Sequence, residues 1–293
     1  MIVTVASGKG GTGKTTVATA LATAVASLRQ ELGGSAPRVT LLDCDVEEPN
    51  AHLYLDPAIE RRLDVGIPVP VVDQEKCDRC RRCAEVCAYH AIAVLGREVL
   101  VFPELCHGCG SCTLNCPRGA ISEEPRPTGA IEEGRAGDIA FARGILNVGE
   151  AMAVPVIRQL KKRLAGAERD SLVILDAPPG TSCPVVECLH GSDYALMVTE
   201  PTPFGLHDLK MAVDVARDKL GLRVGVVINR DGVGDDKVEE YCREERIPIL
   251  MRIPLDRRIA EACSLGLPLP VALPEYRDPF LDLHRRIREE VEP

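Results

Sequence analysis

Eight of the chain's 13 cysteines fall into two runs of one spacing. Cys77, Cys80, Cys83 and Cys87 recur as Cys106, Cys109, Cys112 and Cys116, each 29 residues further on, and Ala91-Ile92 recurs as Ala120-Ile121 at the same interval. Three thiolates crowded into seven residues suit the corners of an iron–sulfur cube. A tetrahedral zinc site, which usually splits two Cys-x2-Cys pairs by a longer loop, and plain structural thiols are the alternatives. A second group of residues points to phosphate chemistry. Ser7-Gly8-Lys9-Gly10-Gly11-Thr12-Gly13-Lys14-Thr15-Thr16 lies between a strand-like apolar run and a helical stretch, the context that marks a P-loop. Its glycines let successive backbone N–H groups face one concavity, and the helix N-terminus adds positive potential there. Lys14 is placed to reach the β- and γ-phosphates and the Thr15 hydroxyl to ligate Mg²⁺, so ATP or ADP with Mg²⁺ is expected at residues 8–16.

The Cys-x2-Cys-x2-Cys-x3-Cys run, followed by Pro117 in its second copy, resembles that of bacterial two-cluster ferredoxins over about residues 72–123. The resemblance implies that the fourth cysteine of each run ligates the other cluster. Cys77, Cys80, Cys83 and Cys116 would then hold one 4Fe-4S cluster, and Cys106, Cys109, Cys112 and Cys87 the second. Ala88 stands where the first copy would carry the proline, which alters a turn and removes no ligand.

The extra Lys9, with Gly10 and Gly11, resembles the deviant Walker A motif of the MinD/ParA family, which includes Mrp-type ATPases and the nitrogenase iron protein. This likeness covers roughly residues 1–60 and 130–270. It implies that Lys9 crosses a nucleotide-sandwich homodimer to the partner's phosphates. Asp43-Cys44-Asp45 then forms the first switch, with Asp45 orienting the attacking water and Asp43 in the Mg²⁺ or water shell. Leu172–Asp176 carries the Walker B aspartate, a Mg²⁺ ligand, and runs through Ala177-Pro178-Pro179-Gly180-Thr181 as the second switch. Gly180 would offer its N–H to the γ-phosphate, while Asn229, Arg230, Pro254 and Asp256 stand where family members hold adenine.

These residues need a scaffold, and the chain's pattern supplies one. Val/Ile/Leu runs at Ile2–Ala6, Val39–Asp43, Leu172–Asp176, Tyr194–Thr199, Val224–Asn229 and Ile249–Ile253 read as strands of a parallel sheet. Helical stretches fall at Lys14–Gln30, Ala151–Leu164, Leu206–Leu220, Lys237–Glu245 and Asp278–Glu290. The expected fold is a doubly wound α/β P-loop domain, residues 1–62 and 128–293, interrupted by a small α+β ferredoxin-like insert at 63–127.

A net charge of −9, with no basic block longer than Lys161-Lys162-Arg163, argues against a nucleic-acid partner. The absence of a leader-like segment, of an apolar run long enough to span a bilayer and of a secreted character for the thiols makes a reduced, cytoplasmic protein the expectation. The C-terminal Phe280, Leu281, Leu283 and Ile287 read as a helix docked on the core, since its acidic end would be repelled by an anionic membrane. Cys183 is read as a buried inert thiol in preference to a metal-binding residue near a dimer axis, Cys44, Cys242 and Cys263 are read as packing residues, and Cys188 carries no assigned role. His107 is read as solvated in preference to hydrogen-bonding a cluster, and Arg79, Arg81 and Arg82 as a solvated face in preference to tuning a cluster potential or docking an acidic partner.

The expected activity is Mg²⁺-dependent ATP hydrolysis, slow without a partner, in a nucleotide-dependent homodimer. Three couplings follow: gated electron transfer to a redox partner, carriage of a cluster or metallocofactor to an apo-metalloprotein, or a redox-sensing positioning or regulatory switch.

Overall fold

The computed structural model describes residues 1–32, 36–163 and 171–292. Its strands are β1 (Ile2–Ala6), β2 (Arg38–Asp43), β3 (Ala58–Val72), β4 (Ile92–Leu95), β5 (Glu98–Val101), β6 (Ile121–Ala136), β7 (Ile139–Leu146), β8 (Ser171–Asp176), β9 (Tyr194–Thr199), β10 (Arg223–Asp231) and β11 (Ile249–Pro254). Its helices are α1 (Lys14–Leu32), α2 (His52–Leu55), α3 (Arg82–Glu85), α4 (Ser111–Leu114), α5 (Val154–Lys161), α6 (Cys183–Leu189), α7 (Pro203–Val213), α8 (Lys237–Glu244), α9 (Arg257–Ser264), α10 (Leu269–Ala272) and α11 (Arg277–Val291). The six expected core strands and the five expected helices are all present. The stretch expected as a helix over Ala151–Leu164 is shorter, at Val154–Lys161, and Leu164 lies outside the described residues.

A nine-stranded sheet runs in the order β11-β10-β9-β1-β8-β2-β7-β6-β3. From β11 to β7 neighbouring strands are parallel; β6 and β3 are antiparallel additions at one edge. Every residue of β8 and β9 is buried, which their unbroken apolar runs dictate for strands covered on both faces. One face is covered by α1 and α11, whose Phe280, Leu283 and Ile287 are fully buried as expected for a docked terminal helix. The other face is covered by α5, α6, α7 and α8. Helix α1 is alanine-rich, and Thr19 and Thr23 turn their hydroxyls onto the carbonyls of Thr15 and Thr19 at 2.7 and 2.8 Å, so β-branched residues are tolerated inside it.

Strands β3 and β6 pair from Ala58–Arg135 to Val72–Ile121, a ribbon of about 50 Å. Only the 129–136 part of β6 pairs with β7, where Gly129 lies opposite Leu146. Beyond it, the ribbon runs on as a two-stranded arm. It leaves from the end of the sheet at which β2 and β8 finish in the neighbouring Asp43 and Asp176. Pro68, Pro70, Pro125 and Pro127 lie in this arm, where a missing N–H is tolerated at a sheet edge. Residues 73–120, with α3, α4 and the β4–β5 hairpin, sit at its tip. The expected insert limits at 63 and 127 therefore fall within paired strands. Among the described residues no helix is long and apolar enough to cross a membrane.

Candidate nucleotide cleft and cysteine arm

The loop after β1 wraps tightly against its neighbours. A Cβ on Gly8 would lie 2.1 Å from the Asp208 carbonyl oxygen, and Gly13, at φ +95°, would drive one to within 2.4 Å of Asn229 Nδ2. Asn229 holds the loop by donating that Nδ2 to the Thr12 carbonyl at 2.7 Å. The loop borders an open cleft also lined by Asp45, Tyr54, Asn229, Arg230, Pro254 and Asp256. The sequence thus brings together its phosphate and adenine candidates. Asp256 doubles as the N-cap of α9, accepting from Arg258 N at 2.8 Å. Cys263, expected as a packing residue, is half-buried on the cleft wall with Sγ 3.7 Å from Thr16 Oγ1.

Parallel register sets the acids. Asp43 and Asp176 end adjacent strands, both fully buried. Neither carboxylate oxygen of Asp176 has a hydrogen-bond partner. Burial pushes its carboxyl up to about 7, against the pull of the nearby Thr15 hydroxyl, which makes no well-formed hydrogen bond to it, and of the Lys14 ammonium. An orphaned buried carboxylate beside Thr15 is a fitting place for a divalent cation. Burial also lowers the Lys14 ammonium while Asp176 and Asp45 hold it up, and it raises Asp45, which Lys14 pulls back. Asp43 is different. Its two oxygens accept from Asp45 N at 3.2 Å and Ala51 N at 2.9 Å, so it fixes the 44–51 loop. Burial, and then the Asp176 charge, hold it well above the usual carboxylate range.

Two expected roles are occupied otherwise in this conformation. Gly180 N donates to the Ser7 carbonyl at 3.0 Å, not to a free space beside the P-loop. Lys9 Nζ lies 3.2 Å from Glu200 Oε2, and the other oxygen of Glu200 takes Arg230 Nη1. Arg230 Nη2 in turn reaches the Gly11 carbonyl at 3.3 Å. Glu200 follows β9 and was absent from the sequence-derived candidates; a buried acid directly after an apolar strand was the available signal.

The model of the CobQ/CobB/MinD/ParA nucleotide-binding domain matches residues 3–269. The chain belongs to this family. It is 32% identical over 268 residues to an uncharacterized protein of Methanocaldococcus jannaschii, covering 91% of this chain and 90% of that one. It is 28% identical over 151 residues to an iron-sulfur cluster carrier protein of the same organism, covering 46% of this chain and 52% of that protein. In fold it is similar to the septum site-determining protein MinD of Pyrococcus horikoshii, solved with Mg-ADP. The TM-score is 0.60 at 20% identity, over 99% of this chain and 97% of that one. A P-loop nucleotide-binding fold with a large, mostly parallel sheet is thereby established, and with it the family's character as ATPases.

On this family scaffold the arm gathers the eight repeated cysteines into two sets. Cys77, Cys80, Cys83 and Cys116 line one small pocket. Cys87, Cys106, Cys109 and Cys112 line another. The fourth cysteine of each run lies beside the first three of the other run. Backbone N–H groups of Ala91, Ala120 and Gly108 donate to the sulfurs of Cys87, Cys116 and Cys106 at 3.3, 3.3 and 3.4 Å. Among the described residues no three acidic, histidine or cysteine side chains converge as they would on a single metal ion. Four thiols ringing a space fit a cube, in which each sulfur takes a different corner.

Other cysteines fall elsewhere. Cys183, expected to be buried, is exposed at the first turn of α6, because the preceding loop brings that turn to the surface. Cys44, Cys188 and Cys242 are buried as packing residues. His107 is exposed and stacks on Tyr89, centroids 3.6 Å apart.

Proposed function

We propose that the chain is a Mg²⁺-dependent ATPase carrying two 4Fe-4S clusters on its arm. It couples ATP-driven closure of a homodimer to electron transfer toward a redox partner, in the cytoplasm, where thiols stay reduced. The observation that carries this is the place of α5. Gln159 of α5 donates to the Gly66 carbonyl in the arm at 2.8 Å, and Met152, just before α5, lies against Ile67, Val69 and Cys106. From the same helix, Arg158 pairs with Glu187 at 2.9 Å, and Lys161 donates to the carbonyls of Cys188 and His190 at 3.1 and 2.6 Å. Those residues belong to or follow α6, which begins directly after the second switch loop. A contiguous set of contacts thus joins the nucleotide side of the sheet to the cysteine tip.

In the cleft, Lys14 neutralises the β- and γ-phosphates, and the Thr15 hydroxyl with Asp176 holds the cation. Asp45 orients the attacking water, while Asp43 keeps the loop that carries it in register. Lys9 contacts the partner's phosphates once it leaves Glu200. Catalysis comes from positioning and charge, so turnover is slow until a partner completes the site. The bound clusters supply one-electron transfer; the chain orients them through the ribbon and shields their inner faces.

A second reading, delivery of a cluster to an apo-metalloprotein, is favoured by one finding, the partial likeness to an iron-sulfur cluster carrier protein. One experiment separates the two. Anaerobically purified, dithionite-reduced protein is mixed with a low-potential acceptor, and cluster absorbance near 400 nm is followed with ATP, with ADP and without nucleotide. Oxidation accelerated by ATP alone, with iron retained, supports gating. Rates indifferent to nucleotide sink it, and iron moving to an apo-acceptor installs the carrier reading.

A further inference from the structure

The two cavities are built from one repeated unit, yet their walls differ in charge. The first is lined by Arg79, Arg81, Arg82 and Arg118 with one acid, Asp78. The second carries one acid, Glu123, with His107 and Tyr89, and no arginine or lysine. The repeat interval makes the comparison position by position. Arg79, Arg81 and Arg82 of the first copy correspond to Gly108, Gly110 and Ser111 of the second, and Arg118 corresponds to Tyr89.

Two of these arginines stand where the backbone disfavours them. Arg79 and Arg81 have φ of 60° and 65°, and Gly108 and Gly110 have 64° and 72°. The turn around the cysteines therefore demands the left-handed region in both copies. The second copy meets that demand with glycine; the first holds a side chain there at a conformational cost. Backbone strain retained where a twin segment avoids it points to a use for the side chain. Arg79 is also fixed in place. Its guanidinium donates to the carbonyls of Cys77, Gln74 and Arg97 at 2.6, 2.9 and 3.0 Å, none of which cancels its charge. Arg118 differs in being paired with Asp78 at 2.8 Å, and Arg82 lies 3.6 Å from Glu85.

We propose that the arginines of the first copy make the two sites electrically unequal, so that the site of Cys77, Cys80, Cys83 and Cys116 accepts an electron first and releases it last. This rests on the reading of both cavities as cluster sites. A cluster gains one negative charge on reduction, and nearby uncompensated cations favour the more negative form. The step is a simple exchange: a one-electron donor is oxidised by one electron, the first site is reduced from its 2+ to its 1+ state, and no bond is made or broken. A second electron then fills the site of Cys87, Cys106, Cys109 and Cys112. Electrons arriving at the tip run from the arginine-free site to the arginine-lined one. Because the arginines lie near solvent, salt screens part of their effect.

The test is a potentiometric titration of the anaerobic, cluster-loaded protein, read by the spin count and line shape in electron paramagnetic resonance. The wild type should titrate in two separated one-electron steps that draw together at high salt. Arg79→Gly and Arg81→Gly, which copy the twin repeat and relieve the backbone, should move the higher-potential step downward and leave the other in place. Arg82→Ser, which leaves both strained positions untouched, should do the same more weakly. Glu123→Gln should raise only the lower step. Two coincident steps in the wild type, or arginine variants that move the lower step or neither, overturn the proposal while leaving the cluster-carrying ATPase intact. Protein that binds no iron and sulfide after anaerobic reconstitution overturns both readings.

Discussion

The ammonium of Lys9 is held 3.2 Å from the carboxylate of Glu200, at the end of the strand beside the P-loop. Glu200 is almost fully buried and also takes Arg230, which bonds back to the Gly11 carbonyl. The P-loop lysine that the family likeness sends across a dimer is thus anchored within its own chain, by residues from β9 and β10.

Removing the negative charge of Glu200 should loosen this anchor. Glu200→Gln keeps a hydrogen-bond acceptor but lowers the cost of freeing Lys9 by about 1 kcal/mol. Because each dimer frees two such lysines, the ATP-dependent dimer should then form at roughly thirty-fold lower protein concentration. Sedimentation with ATP and with ADP reads this directly, and an unchanged dimer affinity would show that the contact restrains nothing.

Lys14→Ala should lower phosphate release from ATP by about 100-fold or more, because the lost charge is aimed at the transferring group. The variant should fold, since burial already disfavours the Lys14 ammonium. Equal loss in the iron-free protein would place the defect in the cleft and not on the arm.

Asp176 gives a pH signature. Its carboxyl rises from 3.8 to about 7 on folding. Between those values the folded protein binds more protons than the unfolded chain, so stability falls as pH rises. Asp43, raised in the same direction, adds to it. His284 opposes the trend at lower pH, because burial pushes it from 6.5 to about 4. From pH 6.5 to 8 the acids therefore dominate. Without nucleotide the unfolding temperature should drop over this range, less so in Asp176→Asn. Stabilisation by Mg-ADP should grow with pH, as the cation takes the freed carboxylate. Parallel melting curves for wild type and Asp176→Asn would refute Asp176 as the source.

The crossed cysteine sets predict a pattern of iron loss. Cys87→Ser and Cys106→Ser should each halve the iron content, and the double variant should lose no more than either. Cys87→Ser combined with Cys77→Ser should empty the arm. If Cys87→Ser instead pairs with Cys77→Ser, each run would be holding its own cluster.

Much of this was legible in the sequence for identifiable reasons. Buried parallel strands such as β8 and β9 leave unbroken apolar runs, and the P-loop must bring glycine, lysine and threonine together in one short segment. The crossed cysteine sets were implied only by the ferredoxin resemblance, since a repeat interval alone does not say which run's fourth cysteine joins which set. The ribbon was not legible. β3 carries the charged Glu60, Arg61 and Arg62 near its start, and although Leu63, Val65, Ile67 and Val69 alternate after them, Pro68 and Pro70 interrupt that run and argue against a strand. Glu200 was equally silent, because its meaning depends on strand order: β9 lies next to β1 although some 190 residues separate the paired Lys9 and Glu200. The parking of Gly180 N–H on Ser7 is a property of one conformation, which no residue type encodes.

The pairing of β3 with β6, which continues through irregularities at Ile59/Arg61 and Val65/Gly66, has a consequence for how such a protein could be assembled or taken apart. Because Val65 faces Gly129 across the ribbon, the chain enters and leaves the cysteine tip side by side. A short turn joining those two positions would delete the tip without cutting a single connection among the strands that carry the nucleotide residues. In reverse, lengthening one surface hairpin is enough to graft a cysteine-rich tip onto a nucleotide-binding domain. The tip is a detachable part, and its exchange for another hairpin-borne module is an edit to one edge of the sheet.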